Sequence, residues 1–152
     1  VIILAFHTLM MKTKSFKSED FEKNWHLVDA KNKVLGRLAV KIANILSGKN
    51  NSRYSPNADL GDFVVVVNAE KVKVSGNKSF QKNYYHHTGY PGGLKVKTFE
   101  KMQDDTPEKI IEKAVRGMLP KNKLSNKIIK KLKVYAGSEH PHVGQQPKEL
   151  NF

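Results

Sequence analysis

The chain has 152 residues, of which 39% are hydrophobic, so it is long enough for one compact domain with its own core and too short to expect two. Its 27 lysine and arginine residues outnumber the 14 acidic residues, and the resulting net charge of +13 indicates a polyanionic partner. The absence of cysteine excludes a disulfide framework, a Cys-ligated zinc site, an iron–sulfur cluster and a thiol nucleophile.

The beginning of the chain is apolar, but no apolar run approaches the ~20 residues that cross a bilayer, so we expect no membrane partner. Residues 1–6 have no basic segment before them and no small-residue cleavage site after them, which makes a poor signal peptide. Because Met10 and Met11 precede a polar, lysine-rich stretch, we expect residues 1–11 to be a non-native or upstream extension, with an organelle-targeting remnant as the alternative. Residues 12–152 are expected to form a single domain.

The first half of the chain predicts a strand, a helix and a second strand. Residues 25–30 are rich in aromatic and branched side chains, which favours a strand. Apolar residues then recur at three- and four-residue spacing from Leu35 to Leu46, which predicts an amphipathic helix capped by Gly48. Residues 63–67 are apolar at every position, as is typical of a central strand covered by helices on both faces. This order indicates a layered α/β domain.

A small hairpin outside the main sheet is predicted next. We expect residues 72–74 to pair with the stretch at 83–85 across a turn at 76–78. The glycine-rich residues 89–93 are then expected to form a loop.

The last third of the chain predicts two or three helices, a short strand and a tail. Thr98 can cap a short helix, and the sequence Thr106-Pro107-Glu108 combines a capping hydroxyl, a proline at the first helical position and an acid in the first turn. The apolar face of this second helix would consist of Ile110, Ile111, Ala114, Val115 and Met118. A further helix is expected from Ser125 through Leu132, then a strand at 134–136, and an extended tail after Gly137.

Enzymatic interpretations have weak support. Gly36 could let a phosphate approach a helix, but no GxGxxG or GxxxxGK[ST] pattern surrounds it. Ser75 and Ser79 lack a nucleophile elbow. Asp59 and Asp62 could be paired carboxylates, although the glycine between them favours a turn. We therefore expect no enzyme and no small-molecule substrate.

A metal site is also weakly supported. His86 and His87 lie more than fifty residues from His140 and His142, and neither cysteine nor clustered carboxylates complete a ligand set. We expect no metal and no cofactor. Loop histidines in a basic protein more often contact phosphate, stack on a base or lie in solvent.

Nucleic-acid binding is supported by an acid-free segment. Residues 113–138 contain eight basic side chains and no acidic one, whereas ordinary surfaces intersperse both signs. Lys123, Lys127, Lys130 and Lys131 recur at spacings of three and four and would share one helical face. Such a face can neutralise phosphates. The alternative is a solvated lysine face with tyrosines in the core.

Glycines and aromatic residues add to this interpretation. Tyrosines and histidines at 84–87, Tyr90 and Tyr135 could stack on unpaired bases. The glycines at 89–93 could let backbone amides approach a phosphate, although an ordinary surface turn explains them equally well. Gly117 lies in a helical run, where it is explained by close packing against another element or RNA, or by a helix end just before Pro120.

Several ordered segments make the family recognisable. They are residues 25–30, 35–39, 61–62, 67–72, 75–78 and 84–93, the most specific stretch at 115–122, and then 131–137 and 145–147. Their order and spacing from about Lys12 to Phe152 resemble the bacterial-type large-ribosomal-subunit protein L-thirteen family. Asn126 and Asn50-Asn51 depart from the family pattern.

The resemblance implies a single three-layer α/β/α domain around a mostly parallel four-stranded sheet, with a small hairpin excursion and an extended C-terminal tail. It also implies a non-enzymatic structural role in the large subunit, in a cytoplasmic bacterial-type ribosome or an organellar one. The implied partners are large-subunit rRNA, bound directly and early in assembly, and neighbouring large-subunit proteins, with messenger RNA as a further partner. The rival hypotheses are a free-standing nucleic-acid-binding regulator and a phosphate-handling enzyme on the same scaffold.

Charge and resemblance together predict a set of rRNA-contacting residues. These are Lys49, Arg53, Lys78, Tyr84, Tyr85, His86, His87, Gly89, Tyr90, Gly92, Gly93, Arg116, Lys121, Lys123, Lys127, Lys130, Lys131, Lys133, Tyr135, His140 and His142.

Overall fold

The computed structural model describes residues 16, 17, 19 and 21–151, so the prediction for residues 1–11 lies outside the described residues. The strands are Trp25–Asp29 (β1), Phe63–Val67 (β2), Asn83–His87 (β3), Leu94–Thr98 (β4), Leu132–Val134 (β5) and Lys148–Glu149 (β6). The α-helices are Leu35–Ser47 (α1), Lys78–Gln81 (α2), Phe99–Asp105 (α3), Glu108–Met118 (α4) and Lys123–Ile128 (α5). Short 3₁₀ turns occupy Ala69–Lys71, Ile129–Lys131 and His142–Gln145. Within the described part of the chain, no helix has the length and apolar character needed to span a membrane.

The main sheet has four parallel strands in the order β5-β2-β1-β6. β1 and β2 lie side by side in the centre, with Trp25 opposite Phe63. This arrangement confirms the predicted α/β fold class with a four-stranded sheet and a separate hairpin. The predicted extended tail after Gly137 includes an edge strand, because Lys148–Glu149 pairs with β1.

The two faces of the sheet are covered by different parts of the chain. Val28, Val64 and Val66 lie on one face and belong to the same buried core as residues of α1 and α4, which contact each other. On the other face, Trp25 stacks on Phe63 with ring centroids 4.4 Å apart, and His142 of the C-terminal segment lies against Trp25. Burying each large aliphatic side chain contributes roughly 1.5–3 kcal/mol, so both faces of β2 hold the fold together.

The end of α1 is closely packed against the chain that leads into β2. Gly48 adopts a left-handed conformation (φ 78°), and its N–H donates to the carbonyl oxygen of Ile45, which confirms the predicted glycine cap. A Cβ atom on Gly61 would lie 1.8 Å from the carbonyl oxygen of Leu46. This contact between two backbones fixes where β2 begins.

Gly61→Ala is therefore expected to lower the free energy of unfolding by about 3 kcal/mol or more, because neither backbone can move without displacing α1 or β2. Chemical denaturation measures this change. Gly137→Ala is the matched control, since no atom lies within 4 Å of a Cβ at that position. Equal stability of the two variants would show that the close approach is not maintained in solution.

The predicted hairpin pairs with a different strand. β3 pairs with β4, with Asn83 opposite Thr98, and not with residues 72–74. Lys73 instead forms a parallel bridge with Val34, and the N–H of Leu35 donates to the Lys73 carbonyl oxygen at 2.8 Å. The start of α1 thus occupies the hydrogen-bonding groups that a local hairpin would have needed.

Smaller differences concern the ends of the last helices. Thr98 caps α3 as predicted, accepting a hydrogen bond from the backbone N–H of Lys101. Met118, predicted to lie on the apolar face of α4, is exposed because the helix ends there. The last helix begins at Lys123, two residues earlier than expected, and Leu132 starts the strand rather than ending the helix.

Candidate nucleic-acid interface

Two adjacent concave surfaces lie where the end of α4 approaches the start of α1. One, of about 610 Å³, and another, of about 720 Å³, share Lys113 and Gly117. We call the combined surface the basic groove, because its lining includes Arg37, Lys78, Lys82, Lys113, Arg116, Lys121 and Lys123. None of the described residues that line it is acidic. Seven cations without a carboxylate repel one another, so the groove favours an anionic ligand.

Buried residues of α4 determine which of its cations face the groove. Ile110, Ile111 and Val115 are fully buried, which turns Lys113 and Arg116 to the exposed side of the helix. The sequence predicted the apolar face of α4, which includes these three buried residues. The structure adds that the exposed side of α4 faces the first turn of α1 across the groove.

The start of α5 holds the other end of the groove in place. The side chain of Asn122 accepts a hydrogen bond of 2.8 Å from the backbone N–H of Ser125, and the Ser125 hydroxyl donates to the Pro120 carbonyl oxygen. These bonds fix the turn that carries Lys121 and Lys123, which are both exposed. A preformed turn lowers the entropy lost when these lysines bind a ligand.

Gly117 lies at the shared edge of the two concave surfaces. No atom comes within 4 Å of a Cβ built on it, so packing within the described residues does not require glycine there. The explanation by close packing against another element of this chain is therefore wrong. The helix end one residue later and the approach of a ligand remain as explanations, and the missing side chain leaves room in the groove.

Tyr84 connects the hairpin to the basic groove. The ammonium nitrogens of Lys82 and Lys113 lie 5.4 and 5.2 Å from its ring centroid, within range of cation–π attraction. The ring is half-buried against the core, and this burial raises the pKa of the hydroxyl. In the part of the chain that the structure describes, the hydroxyl has no hydrogen-bond partner. The Tyr84 ring thus helps to position two lysines of the groove.

The hairpin has two chemically different faces. Tyr84 pairs with Lys97 and His86 pairs with Lys95, so these four side chains share one face. We call it the inward face because Tyr84, at its base, packs against the core; the other three residues are exposed. Lys97 on that face forms an ion pair with Asp105 of α3 at 3.0 Å.

The outward face of the hairpin carries Tyr85, His87, Leu94 and Val96, all exposed. The loop at 88–93 forms the tip, as predicted, and holds Gly89, Tyr90, Gly92 and Gly93. The predicted hairpin residues are therefore divided between the two faces and the tip.

Lys131 is buried, contrary to the prediction that it shares an exposed face with Lys123, Lys127 and Lys130. It is 5% exposed, its ammonium group pairs with Asp59, and it donates to the Gly61 carbonyl oxygen at 2.7 Å. Burial lowers the pKa of Lys131, and the hydrogen bond to Asp59 opposes this shift. The physical reason is that α5 ends at Ile128 and a tighter 3₁₀ turn rotates residue 131 inward.

The two carboxylates near Gly61 hold the fold together. Asp59 also pairs with Lys23, at 3.4 Å. Asp62 accepts hydrogen bonds from the imidazole Nε2 of His26 at 3.0 Å and from the backbone N–H of Asn24 at 3.1 Å. These contacts make Asp59 and Asp62 structural residues with separate partners.

Three predicted contact residues near the C-terminus interact with one another. The Tyr135 hydroxyl lies 2.9 Å from Nε2 of His142, and His140 Nδ1 accepts a hydrogen bond from the His142 backbone N–H at 3.2 Å. The His142 ring packs 5.0 Å from that of Trp25. This cluster holds the C-terminal segment against the sheet. Among the described residues, no group of three or more His, Asp or Glu side chains is placed to hold a metal ion.

The remaining predicted cations lie outside the groove. Lys49, Lys127 and Lys130 are exposed, Lys133 is half-buried, and the Arg53 guanidinium lies over the ring of Phe21 at 5.4 Å. The structure thus brings Lys78, Arg116, Lys121 and Lys123 together and disperses the others.

Sequence reasoning missed three groove residues. Arg37 and Lys82 lie far from the acid-free segment, and no local signal marked them. Lys113 belongs to that segment, and its position opposite the buried residues of α4 could have identified it.

A parallel α/β domain with a groove of cations is typical of proteins that bind polyanions. The family model described as Ribosomal protein L13 matches residues 23–141. Proteins named Large ribosomal subunit protein uL13 are similar over nearly the whole chain: one from Maridesulfovibrio salexigens is 60% identical over 142 residues, which are 93% of this chain and 100% of the relative. One from Geobacter sulfurreducens is 59% identical over 143 residues, 94% of this chain and 100% of the relative. The chain belongs to the ribosomal protein L13 family, which confirms the resemblance found in its motifs.

Proposed function

We propose that the chain is a structural component of the cytoplasmic large ribosomal subunit that binds large-subunit rRNA directly through the basic groove. The observation that carries this proposal is the convergence of seven cations, without a carboxylate among the described lining residues, from α1, α2 and the residue after it, α4, and the start of α5 with the turn before it. Family membership supports the choice of rRNA as the polyanion.

The groove suits folded RNA better than a small anion. Its two concavities together are much larger than one phosphate group, and its cations come from segments far apart in sequence. Phosphate contacts of this kind set affinity and orientation, while the shape of the folded RNA supplies selectivity. The protein would hold separate rRNA segments together. Such a contact helps the rRNA to fold, which fits a protein that joins the subunit early in assembly.

The experiment that tests this function is binding of the purified chain to protein-free large-subunit rRNA over a range of salt concentrations. An equal mass of small-subunit rRNA is the control. We expect tighter binding to the large-subunit rRNA and a steep decrease of affinity with salt, because each neutralised phosphate releases counterions. Equal affinity for both RNAs would refute direct selective binding, and tight binding of a free nucleotide would favour the enzyme hypothesis.

Gly117→Ala separates stability from binding. The substitution is expected to raise the free energy of unfolding by about 0.5–1 kcal/mol, because alanine is the better helix former and has open space around it. The same methyl group would occupy the edge of the groove, so affinity for rRNA is expected to fall several-fold. Thermal unfolding and filter binding measure the two effects. Increased stability with unchanged affinity would show that the RNA does not approach this helix end.

A further inference from the structure

The outward face of the β3–β4 hairpin is apolar and uncovered. Its cross-strand pairs are Tyr85 with Val96 and His87 with Leu94. Tyr85 is 63% exposed, Leu94 57% and Val96 50%. A two-stranded hairpin is marginally stable by itself, and here the opposite face is joined to the domain by Tyr84, which packs against the core, and by the exposed Lys97–Asp105 ion pair. The outward apolar side chains are therefore not explained by packing within the described part of this chain.

Charge distinguishes this face from the rest of the molecule. In a chain of net charge +13, neither of its two central cross-strand pairs contains a lysine or arginine. Lys95 and Lys97 alternate onto the opposite face, where both are exposed. RNA-binding surfaces combine positive charge with aromatic side chains, whereas the centres of protein interfaces are enriched in aromatic side chains but depleted of charge.

The outward face of the hairpin also lies near the basic groove. Tyr84, at the base of the same hairpin, lies against Lys82 and Lys113 of the basic groove. The hairpin therefore extends from the edge of the proposed RNA surface, where a neighbouring protein on the same RNA would be within reach. An exposed apolar patch in such a place is typical of an interaction site.

We propose that Tyr85, His87, Leu94 and Val96 form a docking face for an uncharged, apolar surface of another large-subunit protein. This inference rests on the proposed function. It assigns the two faces of one hairpin to different roles, with the inward face supporting the RNA-binding groove and the outward face joining a protein neighbour. Stacking of unpaired rRNA bases on Tyr85 and His87, predicted from the sequence, is the competing outcome.

Val96→Lys tests the choice between protein and RNA. The probes are protein-free large-subunit rRNA and a large-subunit particle reconstituted from that rRNA and the other large-subunit proteins, with this chain omitted. We expect Val96→Lys to bind the bare rRNA with the affinity of the wild type. We expect its affinity for the particle to be lower by about tenfold or more, because a lysine ammonium group is poorly accommodated in an apolar interface. Val40→Lys, at an exposed position of α1, is the matched control, and Val96→Thr checks that the hairpin tolerates substitution. Circular dichroism and the Tm confirm folding.

The outcomes separate the two proposals. If the wild-type chain neither binds bare rRNA nor enters the particle, the proposed function itself fails. If the wild-type chain enters but Val96→Lys is retained equally well, the docking face is refuted. Tighter binding of Val96→Lys to bare rRNA would show that the face contacts RNA.

A cross-linking measurement is independent of affinity. With Tyr85 replaced by the photoreactive p-benzoylphenylalanine in the assembled particle, we expect a covalent product with a protein chain. A product with rRNA alone would overturn the inference.

Discussion

Replacing Arg116, Lys121 and Lys123 together by glutamine is expected to weaken binding to large-subunit rRNA about a hundredfold at 0.1 M salt. Each phosphate contact contributes about 0.7–0.9 to the slope of log affinity against log salt, so three contacts contribute about two to three log units at that concentration. The three side chains are exposed and line one of the two concave surfaces of the basic groove, together with Gly117. The slope of log affinity against log salt should also become less negative by about two.

The control for this prediction removes the same charge elsewhere. Lys101, Lys109 and Lys148 are exposed and do not line the groove. Their joint replacement by glutamine lowers the net charge equally but should change affinity only a few-fold. If both triple variants lose affinity to the same extent, binding reflects overall charge and the groove has no special role. Filter binding at several salt concentrations distinguishes these results.

Asp59→Ala is expected to lower the free energy of unfolding by about 3–5 kcal/mol, because it leaves the ammonium group of Lys131 buried without its counter-charge. Lys131 would keep only the Gly61 carbonyl oxygen as a partner at 2.7 Å. The exposed pair Lys97–Asp105 gives the matched control, and Asp105→Ala should leave the free energy of unfolding nearly unchanged because solvent screens this pair. Urea denaturation measures both.

A second substitution shows whether the buried charge is responsible. Asp59→Ala combined with Lys131→Met removes both charges and should recover most of the lost stability, since an apolar pair of similar volume often replaces a buried ion pair. If the double variant is no more stable than Asp59→Ala, the loss comes from the Asp59 loop and its bond to Lys23 rather than from an unpaired charge.

The same pair predicts a pH dependence. Because the pKa of Lys131 in the folded protein is lowered by burial below its ordinary value of 10.5, the unfolded chain binds more protons between the two values. The contribution of Lys131 to stability therefore increases as the pH rises through that window. Removing Asp59 lowers the folded pKa further, so the stability difference between wild type and Asp59→Ala should narrow from neutral pH toward pH 10.5. A constant difference would contradict this assignment.

The features that the sequence determined are those with a local physical cause. The three- and four-residue spacing of apolar residues determines α1 and α4, and the continuous apolar run determines the central strand β2. Thr98 and Gly48 mark helix ends because capping depends on side chains and backbone angles within one turn. The acid-free segment predicted a basic surface, and Arg116, Lys121 and Lys123 do line the groove.

Only the tertiary structure decided which cations share a surface. Arg37, Lys82 and Lys113 meet across the groove because α1, the start of the hairpin and α4 are packed together, and no periodicity encodes that distance. Lys131 follows the charge pattern of its neighbours, but a change from α-helical to 3₁₀ rotation places it inside with Asp59. Strand pairing was likewise settled at long range, because Lys33 and Leu35 take the backbone hydrogen bonds of Lys73 and leave β3 to pair with β4. Composition thus predicted a polyanionic partner, whereas the placement of the basic groove required the packing of elements that lie far apart in sequence.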